Sequence, residues 1–209
     1  MKKIFIKIGW VIIGLIVLFG IATAIFNRTP TRDIPTDLSD IVSPAHGTVI
    51  GVEPITDEVI SFVKKGTVNE ISVPDTFIGG TMVVIELRIK NIHAQRAPYS
   101  GVVSYVEHIP GKHANAIYND DVTRLATENE KFITIIDTEH GPIGVVQVSG
   151  LVARRIINKL EIGDTVERGQ MIGRILLGSQ TLLLLPPNST ELVEMEQIVV
   201  DGESVIGNW

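Results

Sequence analysis

The chain has 209 residues, 44% of them hydrophobic and 20% charged, which allows one sizeable core and excludes a disordered polymer. It contains no cysteine, so disulfides, thiolate catalysis and Cys-ligated metals are excluded. Lys2, Lys3, Lys7, Arg28 and Arg32 all precede the first acid, Asp33. The remainder therefore holds 13 basic against 24 acidic groups, a field that disfavours nucleic acid as a partner.

Residues Ile8 to Phe26 form a run of 19 without a charge, behind Lys2, Lys3 and Lys7. As a helix this run would be about 28 Å long, close to the hydrocarbon thickness of a bilayer. Residues 1–26 are therefore expected to be a membrane anchor, with a signal peptide cleaved after Ala22-Thr23-Ala24 as the competitor. Residues 27–41, polar and broken by Pro30 and Pro35, are expected to be a linker. Residues 42–209 are then the folded domain.

Within that domain Pro44-Ala-His-Gly-Thr-Val-Ile-Gly-Val-Glu53 and Pro98-Tyr-Ser-Gly-Val-Val-Ser-Tyr-Val-Glu107 share the pattern P-x-x-G-x-V-x-x-V-E, Pro44 answering to Pro98. Each is a tight turn running into a strand, which suggests a duplicated β-architecture. Further strands are expected at Glu58–Val63, Thr67–Val73, Thr81–Ile89, Phe132–Asp137 and Ile143–Val148. A helix is expected at Leu151–Leu160, where Leu151, Ile156, Ile157 and Leu160 would share one side. The G-D-x-V-x-x-G-Q stretch from Gly163 has the turn pattern of barrel-sandwich folds. The expected class is mainly β (α+β): a duplicated barrel-sandwich-like domain with one or two helices, behind an N-terminal transmembrane helix.

Chemistry is sparse by residue type. Gly178-Ser179 lies between two apolar runs in Ile175-Leu-Leu-Gly-Ser-Gln-Thr-Leu-Leu-Leu-Leu-Pro186. A glycine lets a group approach its carbonyl closely, and the Ser179 hydroxyl can attack that carbonyl from within its own chain. A buried strand start is the plainer reading of the pair. His93, in Asn91-Ile-His-Ala-Gln-Arg-Ala-Pro98, could act as a base near neutral pH, and Arg96 could pair with a carboxylate or phosphate. Both also suit a solvated loop. His46 sits in the first repeat's turn, and Arg154 and Arg155 read as a polar helix face or as headgroup ligands. His108, His113 and His140 lack metal-ligand spacing, so no metal is expected.

Taken together, the chain from about Phe26 to Ile206 resembles the small form of phosphatidylserine decarboxylase. The resemblance rests on six stretches in order: Phe26-Asn-Arg-Thr-Pro-Thr-Arg-Asp-Ile-Pro35, Val42-Ser-Pro-Ala-His-Gly47, Asn91-Ile-His-Ala-Gln-Arg-Ala-Pro-Tyr-Ser-Gly-Val-Val103, Ile109-Pro-Gly-Lys-His-Ala-Asn-Ala116, Val145-Val-Gln-Val-Ser-Gly-Leu-Val-Ala-Arg-Arg-Ile156 and Gly163 to Pro186. It implies self-cleavage between Gly178 and Ser179, with Ser179 becoming a pyruvoyl cofactor that serves as the electron sink for decarboxylation. It implies that His93 assists proton transfer and that Arg96, Arg154 or Arg155 holds the headgroup. The substrate would be phosphatidylserine or archaetidylserine in a membrane. The partners would be the lipid, the membrane and the second cleavage chain, a homodimer being left open, with the body on the cytoplasmic side. One position departs from the family pattern, which has aspartate in P-A-D-G where this chain has His46. His46 could itself serve as a base, or its presence could mark a non-catalytic, membrane-tethered barrel-sandwich module.

Overall fold

A computed structural model describes residues 9–10, 12–18, 20, 23–24, 27–64, 67–111, 129–150, 155–176 and 179–209. The strands are β1 (Asp40–Val42), β2 (Gly47–Pro54), β3 (Val59–Lys64), β4 (Thr67–Ser72), β5 (Thr81–Leu87), β6 (Ala94–Arg96), β7 (Gly101–Ile109), β8 (Lys131–Asp137) and β9 (Pro142–Val148). After these come β10 (Arg155–Asn158), β11 (Thr165–Val166), β12 (Met171–Leu176), β13 (Ser179–Leu185), β14 (Thr190–Glu191), β15 (Ile198–Val199) and β16 (Val205–Asn208). The mainly β expectation therefore holds, and the five strand stretches named above match β3, β4, β5, β8 and β9.

An eight-stranded sheet in the order β11-β7-β8-β9-β13-β5-β2-β15 organises the molecule. Its central strand β13 is buried along its whole length, as the apolar run Thr181 to Leu185 requires of a strand covered on both faces. Alternate residues feed two cores. Leu183 and Leu185 pack with Val83, Ile85, Ile143 and Val145 on one face. On the other, Leu182 and Leu184 pack with Val84, Val146, Phe62 and Phe77 beneath the β3–β4 hairpin. A small sheet, β10-β12-β6, roofs the first face at the Ser179 end through Phe132, Ile156 and Ile175.

The repeat read in the sequence is a repeat of hydrogen bonds. Val42 N–H donates to the Pro98 carbonyl (3.0 Å), and Arg96 N–H, its counterpart in the second copy, donates to the Pro44 carbonyl (2.9 Å). Ser43 N–H reaches Ser204 O and Gly202 N–H reaches Ser43 O, each at 2.8 Å; the matching pairs are Ala97 to Gln170 (2.8 Å) and Gly169 to Ala97 (2.9 Å). Val49 is held by Gln197 and Glu196 as Val103 is held by Asp164 and Gly163. A Cβ added at Gly47 would lie 2.2 Å from the Glu86 carbonyl oxygen, and one at Gly101 would lie 2.3 Å from that of Asp137. Both strands demand glycine for one reason, a neighbouring backbone pressed against the turn.

One expectation needs correction, and a second finds no support among the described residues. The helix expected over Leu151–Leu160 is not formed where it is described, because Arg155–Asn158 is strand β10, antiparallel to β12. Ile156 is buried while Arg155 is exposed and Ile157 largely so, a period of two set by the neighbouring strand. Residues 151–154 lie outside the described ones. The spanning helix expected over Ile8–Phe26 is likewise not found, since among the described residues no helix is long and apolar enough to cross a membrane. The described helical residues between 9 and 24 expose Trp10, Ile12, Ile13, Leu15, Ile16, Val17 and Leu18.

The stretch 27–40, expected as a linker, runs extended along the body as a strap. Arg168 donates to the carbonyls of Pro35 (2.7 Å), Asp37 (2.5 Å) and Asp40 (2.8 Å). Arg28 donates to Lys90 O at 3.0 Å, and Arg174 donates to Thr29 Oγ1 at 2.7 Å.

Candidate active site

Ser179 is the first residue of β13 and is 2% exposed. It stands opposite Leu87 of β5, on the face that carries Thr181, Leu183 and Leu185. Its hydroxyl oxygen is buried and makes no hydrogen bond among the described residues. Gly178 lies outside the described residues, as does Arg154.

His93 reaches this region from the start of β6. Its carbonyl accepts the Ile175 N–H at 3.1 Å, on the stretch of chain leading to Ser179. The ring is fully buried, with Nδ1 donating to the Asn91 carbonyl at 3.0 Å. That bond fixes the neutral tautomer and leaves Nε2 with the lone pair. Burial holds the His93 pKa below the ordinary 6.5; the Asn91 carbonyl opposes this, and the charges of Arg174 and Arg28 reinforce it. Near neutral pH the ring is therefore held in its neutral form.

His46 has the opposite tautomer. Its Nδ1 accepts the Ile92 N–H at 3.3 Å, so the neutral ring carries its proton on Nε2. Burial lowers its pKa, while the Asp201 carboxylate draws it upward. The turn containing His46 and the loop preceding His93 are thus in direct contact.

Arg96 is placed differently from Arg155. Its guanidinium is buried, with Nε on Asp201 Oδ2 (2.8 Å), one terminal nitrogen on Gly169 O (2.7 Å) and the other on Pro30 O (2.8 Å). Asp201 also takes Arg32. Arg96 therefore ties β6, the turn at Gly169 and the strap together, whereas Arg155 is exposed on β10.

Several polar residues escaped the sequence reading. Thr181 Oγ1 donates to Gln95 Oε1 at 2.7 Å, and Asn158 Nδ2 donates to Gln147 Oε1 at 2.9 Å. Gln95 and Gln147 are both buried on the Ser179 side of the sheet. Asp201 and Arg174, whose pKa burial lowers, also border the histidines electrostatically. The available signal was a cluster of amides in otherwise apolar strands. Each such residue alone is ordinary. A cavity of about 410 Å³ under the β3–β4 hairpin is lined by Ile55, Phe62, Met82 and Val84, on the opposite face of the sheet from Ser179.

The phosphatidylserine decarboxylase family model matches residues 19–207. The chain belongs to the phosphatidylserine decarboxylase family. It is 34% identical to a phosphatidylserine decarboxylase proenzyme of Nitratidesulfovibrio vulgaris, over 94% of this chain and 82% of that one. It is 36% identical to the proenzyme of Anaplasma phagocytophilum, over 93% and 80%. A provisionally named archaetidylserine decarboxylase proenzyme of Methanothermobacter thermautotrophicus is 34% identical over 96% and 87%. The chain is accordingly an enzyme of the carboxy-lyase class.

Proposed function

We propose that this enzyme decarboxylates the serine headgroup of phosphatidylserine, or of archaetidylserine, after cutting itself between Gly178 and Ser179. The observation that carries the reading is the buried Ser179 hydroxyl, without a hydrogen-bond partner among the described residues at the mouth of the central strand, on the side of the molecule that holds a neutral histidine. The names of the relatives support it, each being a proenzyme of such a decarboxylase.

Self-cleavage follows from those groups. His93 Nε2 takes the hydroxyl proton while Ser179 Oγ bonds to the Gly178 carbonyl carbon, and the proton is passed to the Ser179 nitrogen as the peptide C–N bond breaks, leaving an ester and a free amine. Removal of the Ser179 Cα proton then breaks the Cβ–O bond. This frees a carboxylate on Gly178 and leaves an enamine at residue 179, which tautomerises and is hydrolysed by water to a pyruvoyl group and ammonia. The residues present fit that group, for Ser179 is enclosed between β5, β9 and the small roofing sheet. The pyruvoyl carbonyl supplies the electron sink that ordinary side chains lack. His93 then serves as the proton carrier in a site closed to bulk water. Arg155, at the β10 end of the roof, or else Arg154, would meet the headgroup phosphate, and Arg96 acts from within as the clamp of that wall.

Membrane contact is assigned to the N-terminal segment, whose described helical residues expose seven large apolar side chains. Arg28, bound to Lys90 O, brings the end of that segment next to the loop leading to His93. The body then works on the cytoplasmic face, beside the lipid it consumes.

An intact-mass spectrum of the purified full chain tests the reading. The expected result is a separate chain of residues 179–209 whose first residue has the mass of pyruvoyl in place of serine. A single full-length mass after long incubation across pH would overturn it and leave a non-processing, membrane-tethered module, with His46 as the lesion. The His46→Asp variant is expected to process with an altered rate or pH profile. An unchanged rate at every pH would remove His46 from the chemistry.

A further inference from the structure

Three buried polar atoms around Ser179 lack hydrogen-bond partners among the described residues: Ser179 Oγ, Gln95 Nε2 and Gln147 Nε2. Buried polar groups are ordinarily satisfied, so orphans gathered on one face of the sheet around Thr181 and Ser179 require a reason. These two amides are fixed as donors. The Gln95 oxygen is occupied by Thr181 Oγ1 and the Gln147 oxygen by Asn158 Nδ2, which turns each NH₂ group away from those partners.

The strand register places them on the side of Ser179. Thr181 pairs with Gln147 across the β9–β13 ladder, and Ser179 is the next residue of β13 on that same face. A diagonal neighbour on a sheet face is within reach of a long side chain. Gln95 bonds to Thr181 from the roofing sheet. Above Gln147 the roof carries Gly173, where an added Cβ would lie 3.0 Å from Gln147 Nε2 and 2.8 Å from the Ile157 carbonyl oxygen. Residue 173 can therefore carry no side chain without displacing Gln147 or the Ile157 backbone.

We propose that Gln95 and Gln147 are the donor pair for the oxyanion that develops on the Gly178 carbonyl oxygen when the Ser179 hydroxyl attacks. That oxygen and the attacking Oγ are bonded to one carbon in the adduct, so donors that serve it must border Ser179 Oγ. Uncharged amides suit a buried site, since they stabilise the developing charge without a cation to desolvate beforehand. Thr181 and Asn158 are the positioning residues that aim them. The proposal rests on the self-cleavage reading given above.

The test follows the appearance of the 179–209 chain by intact mass, from pH 6 to 9, in the full-length protein. Gln95→Met and Gln147→Met each keep volume and remove the donor. Each is expected to slow cleavage about 100-fold, the scale of losing one oxyanion donor, with the shape of the pH profile retained because an amide does not titrate. Thr181→Val and Asn158→Leu, which release the amides without removing them, are expected to slow cleavage less. Melting temperatures for all four separate a chemical effect from a folding one, and Gln95→Met combined with Thr181→Val leaves neither partner unpaired should a single variant fold poorly. Folded Met variants that cleave at the wild-type rate would overturn the donor assignment alone. A wild-type chain that never cleaves would overturn the reading beneath it.

Discussion

The two halves of the duplication share one backbone and differ in what they hang on it. In the first, β2 and β15 meet at the turn that carries His46; in the second, β7 and β11 meet at the turn that carries Ser100, the matching position of the repeat. Asp201, beside Gly202, occupies the place that Arg168 holds beside Gly169, and both glycines have positive φ, 75° and 79°. The charges are thus opposite at matched positions. Arg168 reaches outward to clasp the strap, and Ser100 Oγ merely accepts its N–H at 2.9 Å. Asp201 reaches inward to Arg96 and Arg32, next to the turn that touches the His93 loop. A doubled scaffold supplies rigidity on both sides, and the first side sets its ion pairs and its histidine turn against the His93 loop.

That comparison can be broken most forcefully at Asp201. Replacing it with Leu leaves the buried Arg96 guanidinium without its carboxylate, and a loss of roughly 3–5 kcal/mol is expected in urea unfolding. If the loss is instead within about 1 kcal/mol, the value of an exposed pair, the inward clamp is not a buried one. Next come Gly47→Ala and Gly101→Ala. Each drives a methyl group into a carbonyl oxygen, with an expected cost of roughly 1–3 kcal/mol, and the two costs should agree. Unequal values would show that the halves differ in backbone and not merely in side chains. Arg168→Ala, the outward counterpart of Asp201, is expected to cost about 1–2 kcal/mol, through its lost hydrogen bonds to a partly exposed strap. Limited proteolysis near Asp37 should then accelerate.

The smallest effect is a slope in pH. His46 and His93 both have pKa values lowered by burial, so below the ordinary histidine value of 6.5 the unfolded chain binds more protons than the folded one. Stability should therefore fall as pH drops through 6.5 towards the folded values. His46→Ser, which installs the residue type found in the second half, should flatten that fall. An unchanged slope would mean that His46 binds its proton equally well in the folded and the unfolded chain.

Much of this was legible before any coordinates. The P-x-x-G-x-V-x-x-V-E repeat marks β2 and β7, and the Leu run after Thr181 marks the central strand, because turn chemistry and unbroken apolarity are local signals. The second half of the duplication was not legible. Thr165 to Gly173 and Ile198 to Gly207 share little beyond a glycine and a terminal Ile-Gly, and their equivalence lies in carbonyls that no side chain records. Leu151–Leu160 was misread because Ile156 and Ile157 fit one helical side as well as they fit two faces of a strand. The choice was made by β12, elsewhere in the chain. At the site, Ser179 and His93 carry chemical signatures, whereas Gln95, Gln147 and Asp201 acquire theirs only from partners brought in by the fold.

The position of Ser179 at the head of β13 has a consequence for the order of events in the protein's life. That strand is laddered to β5 on one flank and β9 on the other, and the chain beyond it supplies β15 to the same sheet and β16 to the one that holds β1. A break before Ser179 severs the connectivity without loosening the weave, so the fragment is held as a thread is held in cloth. The cut form would then be kinetically locked: once denatured, its two pieces have lost the tether that kept them in register, and recovery becomes a bimolecular search. On the self-cleavage proposed above, assembly comes before cutting, and the cut is a stamp that only a correctly folded chain can receive.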